Sequence, residues 1–162
     1  MRSRLLFWRR RPVLGSSRIL RSADGAACAR LHATSFAHPW SANDFESLLL
    51  DPACSGEGLY ARSGLAGFIL SRRALDEAEI LTIVVDRRLR RQGCGERLLA
   101  SHLARLTCQG VATLFLEVDE SNVAALELYR LHGFVEKGMR KGYYAKPDGT
   151  RANALIMCRS LA

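Results

Sequence analysis

The sequence predicts a mixed α/β domain, a single sheet with helices on both faces. Three observations carry that expectation. Ile80 to Val85 (ILTIVV) is an almost unbroken apolar, β-branched run, the pattern of a strand covered on both sides. After it, Leu98, Leu99, Leu103 and Leu106 recur at helical spacing, and Val111 to Val118 returns to a strand. Flanking this centre are strand pairs around Ser63-Gly64 and around Pro147-Asp148-Gly149. Strand–helix–strand alternation inside hairpins makes a layered α/β arrangement, and 162 residues suit one domain with one core.

In chain order, Ser16 to Ser22 reads as a first strand. Asp24 can cap a helix over Ala26, Leu31 and Phe36 that Pro39 stops. Ser41 followed by Asp44 is a capping-box start for a short helix through Leu50, and Asp51 to Glu57 reads as a loop. Leu59 to Arg62 pairs with Leu65 to Arg72. Beyond the central strand, a basic glycine-containing loop leads to a helix from Glu96 to about Cys108, with Gly110 placed for a left-handed C-cap. Ser121 or Asn122 caps the next helix, which runs through Leu131 and ends at Gly133. Phe134 to Tyr144 and Ala154 to Arg159 form the last hairpin.

The formal charge of +8 is concentrated at one end: residues 1 to 21 hold seven arginines and no acid. The remaining chain has 17 basic against 16 acidic residues, so the excess is a tail and not a basic face. Residues 1–16 are therefore expected to be a flexible Arg-rich extension, and residues 17–162 the folded domain. A tail of this kind is solvated, and also suits transient contact with ribosomal RNA or a membrane surface; DNA is not expected as a partner. No apolar run is long enough to span a bilayer, and Arg18 and Arg21 interrupt any export-signal core, so a cytoplasmic location is expected. Five cysteines with no C-x-x-C spacing and four scattered histidines form neither a disulfide framework nor a metal site.

The chemistry starts at Arg90-Arg91-Gln92-Gly93-Cys94-Gly95. A loop leaving a buried strand and entering a helix aims free backbone N–H groups at one point, helped by the helix dipole. Gly93 and Gly95 let a pyrophosphate touch the main chain, and Arg90 and Arg91 add charge complementarity. The nucleoside-triphosphate loop string is absent. A dinucleotide fingerprint would need glycine at Leu98, although Glu117 lies where a ribose-binding acid would. Cys94 reads as a spacer, since no His–Asp partners lie nearby in sequence.

These residues resemble the GNAT superfamily of acetyltransferases, and within it the RimI-type enzymes that acetylate the N-terminus of a small-subunit ribosomal protein. The likeness runs from about Ser17 to Met157. It is strongest in AEILTIVVD (78–86), RRQGCGERLL (90–99), GVATLFLEV (110–118), SNVAALELYRLHGF (121–134) and GYY…DGTRANALIM (142–157). The resemblance implies a mostly antiparallel mixed sheet whose two central parallel strands splay to admit a pantetheine arm. It also implies acetyl-CoA as acetyl donor and a protein N-terminus as acceptor, with lysine side chains or a small amine as alternatives. By the same likeness Ile83, Val84 and Val85 offer main-chain bonds to the pantetheine, Arg91, Gln92, Gly93, Cys94, Gly95 and Glu96 surround the pyrophosphate, and Asn122 contacts the cofactor.

Amine acetylation needs a proton acceptor, an oxyanion donor and a proton for the leaving thiolate. Glu117 is the candidate general base: it interrupts the apolar strand LFLEV, where a carboxylate is costly to bury, and matches the family's base. A glutamate near a strand end that simply reaches water is the alternative. Tyr129 matches the family's general acid; a tyrosine packed against the core is the alternative. The N–H of Val85, which the likeness puts at a bulge, is the expected oxyanion donor. Trp40, Tyr143 and Tyr144 resemble walls of the acceptor groove and equally suit a core. Asp119-Glu120 departs from the Arg or Ala common in RimI-type sequences and would favour a basic acceptor. A non-catalytic CoA-binding or ribosome-docking module is the competing class.

Overall fold

Seven strands in the order β1-β2-β3-β4-β5-β7-β6 form one sheet in a computed structural model that describes residues 15–162. The elements are β1 (Ser17–Ile19), α1 (Gly25–Ala33), α2 (Ala42–Leu50), β2 (Cys54–Ala61), β3 (Gly64–Ala74), β4 (Glu77–Val85), α3 (Cys94–Cys108), β5 (Thr113–Asp119), α4 (Val123–Leu131), β6 (Val135–Ala145) and β7 (Arg151–Ser160). Neighbouring strands are antiparallel except β4 and β5, which run parallel. The expected α/β class with a parallel central pair is what the chain adopts. Of the Arg-rich extension, residues 1–14 lie outside the described residues. Gly15 already belongs to the fold, donating to the Tyr60 carbonyl (2.8 Å) and accepting from Arg97.

Both faces of the sheet are covered. Leu20, Cys28, Leu31, Phe45, Phe68, Leu70 and Val84 pack together under α1 and α2. On the opposite face Leu98, Leu99, Leu103 and Leu106 of α3, with Leu126 and Tyr129 of α4, cover Leu114, Leu116, Val118 and Met157. The apolar run of β4 is explained by its place between these two layers. Gly67 marks the tightest approach in this region: a Cβ there would sit 2.8 Å from the Val84 carbonyl.

Among the boundaries that differ from the sequence expectation, two have a clear local cause. The loop expected over Asp51 to Glu57 is largely strand, because β2 starts at Cys54. Its Gly56 and Gly58 carry no apolar signal, yet the Leu20 side chain packs where their Cβ atoms would be, within 3.2 and 2.8 Å. Helix α1 ends at Ala33, short of Phe36, and Asp24 does not cap it. The Asp24 carboxylate instead pairs with Arg18 and accepts from the Arg21 N–H, while the Ser41–Asp44 capping box forms at α2 as expected.

A polar network lies inside the core. His102 (0% exposed) meets Ser71 through Nε2 at 2.8 Å and Glu57 (2% exposed) through Nδ1 at 3.5 Å, and Arg105 Nε lies 2.5 Å from the Glu57 carboxylate. Burial raises the Glu57 carboxyl, but His102 and then Arg105 outweigh it and hold the group below its ordinary value. A carboxyl lowered on folding contributes stability that is complete above its unfolded value, about 4.5, and is lost as pH falls through the lower folded value. Glu57→Gln should therefore cost about 2 kcal/mol at neutral pH. It should also flatten the acid limb of a plot of Tm against pH; a limb of unchanged slope would show that other carboxylates dominate acid unfolding.

Candidate active site

The loop between β4 and α3 has the geometry of an anion cradle. Arg91 (φ 61°) and Gly93 (φ 80°) both adopt left-handed conformations, which for arginine costs about 1 kcal/mol. Alternating backbone of this kind converges successive N–H groups. The first helical bond of α3 runs from Arg97 N–H to the Gly93 carbonyl, and Gly93 provides no side-chain cap, so the N–H groups of Cys94, Gly95 and Glu96 are left to face outward. A Cβ at Gly93 would meet nothing within 4 Å, so space lies open at the helix mouth. Arg91, Gln92, Gly93 and Glu96 are exposed, as an anion-binding rim requires.

Two members of the loop behave differently from the sequence expectation. Arg90 is folded back, donating from Nε to the Val85 carbonyl (3.1 Å) and from Nη2 to Ser35 (2.9 Å), so it braces the loop against the end of α1. Cys94 is buried and directs its thiol at the Leu89 carbonyl (3.3 Å); burial pushes that thiol above its ordinary value, which suits a spacer.

Beside the loop the sheet is interrupted. β4 and β5 pair only from Glu77↔Thr113 to Ile80↔Leu116 and then part. The parting coincides with a bulge at Leu81, where the β3 ladder passes from Ser71↔Ile80 to Leu70↔Thr82. The bulge expected at Val85 is therefore four residues earlier. Beyond it, the Asp86 N–H bonds the Ala66 carbonyl, so Asp86 looks towards β3. By strand alternation Val85 and Ile83 turn their N–H and C=O groups into the gap. Val84 does not fit the expected role: its main chain serves β3 and its side chain fills the α1/α2 core.

Glu117 and Tyr129 arise from opposite faces of the sheet. Leu116 and Val118 point at α3 and α4, so Glu117 between them points towards the α1/α2 side with 17% of its side chain exposed. Tyr129 is buried on α4 against Phe134 (ring centres 5.6 Å apart), and burial, then the charge of Tyr144, raises its phenol. Tyr144 links the two, lying within electrostatic reach of both; burial first and then the charge of Glu117 push it up to about 12. The sheet separates the two side chains, and Tyr144 is electrostatically coupled to each of them. Tyr143 packs edge-on to Tyr144 at 5.1 Å and is exposed, so the tyrosine pair forms a wall and not a core.

Other expected site residues have additional duties. Trp40 is half-buried, 5.1 Å from the His32 ring and 5.4 Å from Phe45, and its N–H donates to His32 Nδ1. Asn122 caps α4 through Oδ1 to the Ala125 N–H (3.2 Å). Asp119 accepts from the N–H and hydroxyl of Ser121, and Glu120 from the N–H and amide of Asn153. These two acids, which set the chain apart from the pattern it resembles, therefore shape the β5–α4 turn and its junction with β7. Sequence reasoning missed Arg140, whose Nε lies 2.9 Å from Glu117 Oε1; only the β6–β7–β5 register brings them together.

The cysteine environments give a test of the spacer role. Cys108 is exposed, whereas Cys28 and Cys94 are buried and Cys28 is pushed up to about 12, chiefly by burial. A thiol reagent at neutral pH should modify Cys108 first and reach Cys28 and Cys94 only on unfolding; rapid labelling of Cys94 in the native protein would restore it as a nucleophile.

The chain matches the acetyltransferase (GNAT) family over residues 26–134. It is 38% identical over 138 residues to the ribosomal protein bS18-alanine N-acetyltransferase of Escherichia coli K12, spanning 85% of this chain and 92% of that one. It is likewise 38% identical over 133 residues to the N-alpha-acetyltransferase RimI of Mycobacterium tuberculosis, covering 77% of this chain and 81% of that one. The crystal structure of the E. coli ribosomal-protein-S18-alanine N-acetyltransferase superposes with a TM-score of 0.85 at 35% identity, over 91% of this chain and 94% of that one. Ard1 from Thermoplasma volcanium superposes with a TM-score of 0.79 at 27% identity, over 91% and 97%. The dinucleotide alternative falls with these matches: the chain belongs to the acetyltransferase (GNAT) family and is an N-acetyltransferase.

Proposed function

We propose that this chain moves the acetyl group of acetyl-CoA onto the N-terminal amine of a protein, with a small-subunit ribosomal protein as acceptor, in the cytoplasm. The observation that carries the chemistry is the Glu117 carboxylate, set in an apolar strand where β4 and β5 part. The acceptor assignment is supported by relatives whose names specify ribosomal protein bS18. The seven arginines within residues 1–21 suit contact with ribosomal RNA, although Arg18 is also engaged with Asp24.

In this reading the N–H groups of Gly93, Cys94, Gly95 and Glu96 hold the pyrophosphate, with Arg91 and Gln92 at the rim and Asn122 nearby. Ile83 and Val85 meet the pantetheine through their gap-facing main chain. Glu117 takes a proton from the acceptor ammonium, and the freed amine attacks the thioester carbonyl. A gap-facing N–H of β4 stabilises the resulting oxyanion; as it collapses the C–S bond breaks and Tyr129 gives its proton to the departing thiolate, while the second proton on the attacking nitrogen passes to solvent, from which the phenolate is reprotonated. A phenol is protonated at neutral pH and so has a proton to give; burial raises the Tyr129 phenol further. Trp40, Tyr143 and Tyr144 line the acceptor side. Direct transfer needs no acyl-enzyme, in keeping with the sealed Cys94 thiol.

Peptides identical except for a free or blocked α-amine test the acceptor: turnover should require the free amine, and equal turnover of both would move the activity to lysine side chains. Tyr129→Phe should lower kcat about 10- to 100-fold while acetyl-CoA affinity changes less than about threefold. Comparable losses in both would make the tyrosine structural. Glu117→Gln should lower kcat about 100-fold or more; near-parental turnover would remove it as the base.

A further inference from the structure

Glu117 is anchored by Arg140. Its Oε1 lies 2.9 Å from Arg140 Nε as an ion pair, and among the described residues the carboxylate has no other ion pair and no hydrogen bond. Register explains how the two meet. Arg140 lies opposite Ala154 of β7, and Ala154 lies opposite Asp119, two residues along β5 from Glu117. Arg140 and Glu117 thus project from the same face, separated by one strand that presents the small, buried Ala154 opposite Arg140 and Ile156 opposite Glu117.

The backbone holding Arg140 is shaped at that point. Immediately after it the ladder jumps from Arg140↔Ala154 to Tyr144↔Ala152, placing two extra residues in β6. Gly142 takes the left-handed conformation the bulge requires (φ 59°) and donates its N–H to Asn153 Oδ1 (2.9 Å), while its carbonyl accepts from Arg151 Nε. The bulge also sets the Tyr143 ring 5.5 Å from the Arg140 guanidinium, within cation–π range. The guanidinium thus has two contacts, the Glu117 carboxylate and the Tyr143 ring, although 57% of the side chain is exposed.

We propose that Arg140 is a positioning residue for the acceptor step: it fixes Glu117 by Oε1 so that Oε2 meets the incoming amine. The proposal rests on Glu117 as the base. A glutamate's terminal torsion is broad and roughly two-fold, so an unanchored carboxylate samples many orientations. A single guanidinium contact removes that freedom on one oxygen, and a guanidinium stays protonated and cannot take the amine's proton itself. Orientation of a catalytic group at this scale is worth a large factor in rate.

The test compares Arg140→Ala, Arg140→Lys, Glu117→Gln and the Glu117→Gln/Arg140→Ala double variant under saturating acetyl-CoA and acceptor peptide. Arg140→Ala should lose about tenfold or more in kcat with the acetyl-CoA KM within about twofold, and Arg140→Lys should lose less. Added ethylguanidine should restore about threefold or more of the Arg140→Ala loss, a recovery that a merely structural arginine would not show. In the Glu117→Gln background, removing Arg140 should cost nothing further. Parental kcat in Arg140→Ala, failure of ethylguanidine to restore any turnover, or an equal loss in the Glu117→Gln background overturns the proposal. Full activity of Glu117→Gln alone overturns the base assignment on which it rests, so the two failures are distinguishable.

Discussion

The structure turns on how far two parallel strands stay paired. β4 and β5 hydrogen-bond over their first residues and then separate at a bulge. From there β4 has a strand partner on one side only, and the Arg90 side chain takes the Val85 carbonyl on the other. In a continuous sheet, buried unpaired N–H and C=O groups would be a defect; beside a gap they are donors and acceptors ready for a ligand that supplies the missing strand's bonds. The anion cradle at the start of α3 follows the end of the same strand, so the open main chain and the outward-facing helix N–H groups lie close together in the chain. Gly67 lets β3 close on the Val84 carbonyl, so β4 stays paired on that side beyond the point where it leaves β5.

The catalytic reading depends on that discontinuity as well. Glu117 and Tyr129 belong to different layers, and an intact sheet would isolate them. Tyr144, on the outermost strand, senses the charge of one and is sensed by the other. The deeper polar group, Glu57 with His102 and Arg105, has the opposite character. Its Ser71–His102–Glu57 arrangement has the order of a hydrolytic triad, yet all three residues are sealed, so it works as internal bracing between β2, β3 and α3.

Much of this was legible in the residues. The ILTIVV run, the α3 stripe and the Ser41–Asp44 capping box each encode their structure locally, and the glycines at 93 and 95 mark where backbone must be bare. What escaped was set by distant partners. The strand over Cys54–Glu57 has no alternation because Leu20 fills the space over its glycines. Arg90 matches the charge pattern of an anion loop, but the nearby Val85 carbonyl and Ser35 hydroxyl claim its donors. Arg140 has no motif to announce it, since its meaning comes from which residue lies two strands away. The bulge at Leu81 was misplaced to Val85 for a similar reason: an extra residue in a ladder is a property of two strands.

Among the described residues β6 is the last strand of the sheet, with one edge unpaired, and it carries Lys137, Arg140, Lys141 and two bulges. Charges and irregular backbone at such a margin discourage other chains from adding to it. The same margin bears the Tyr143–Tyr144 pair and the arginine beside Glu117, whereas the β4–β5 gap and the loop before α3 lie at the middle of the sheet. On the proposed reading, changes to the β6–β7 hairpin would retune which amine is accepted while the groups proposed for the donor stay intact. Such a division lets one scaffold diversify its clients without relearning its chemistry.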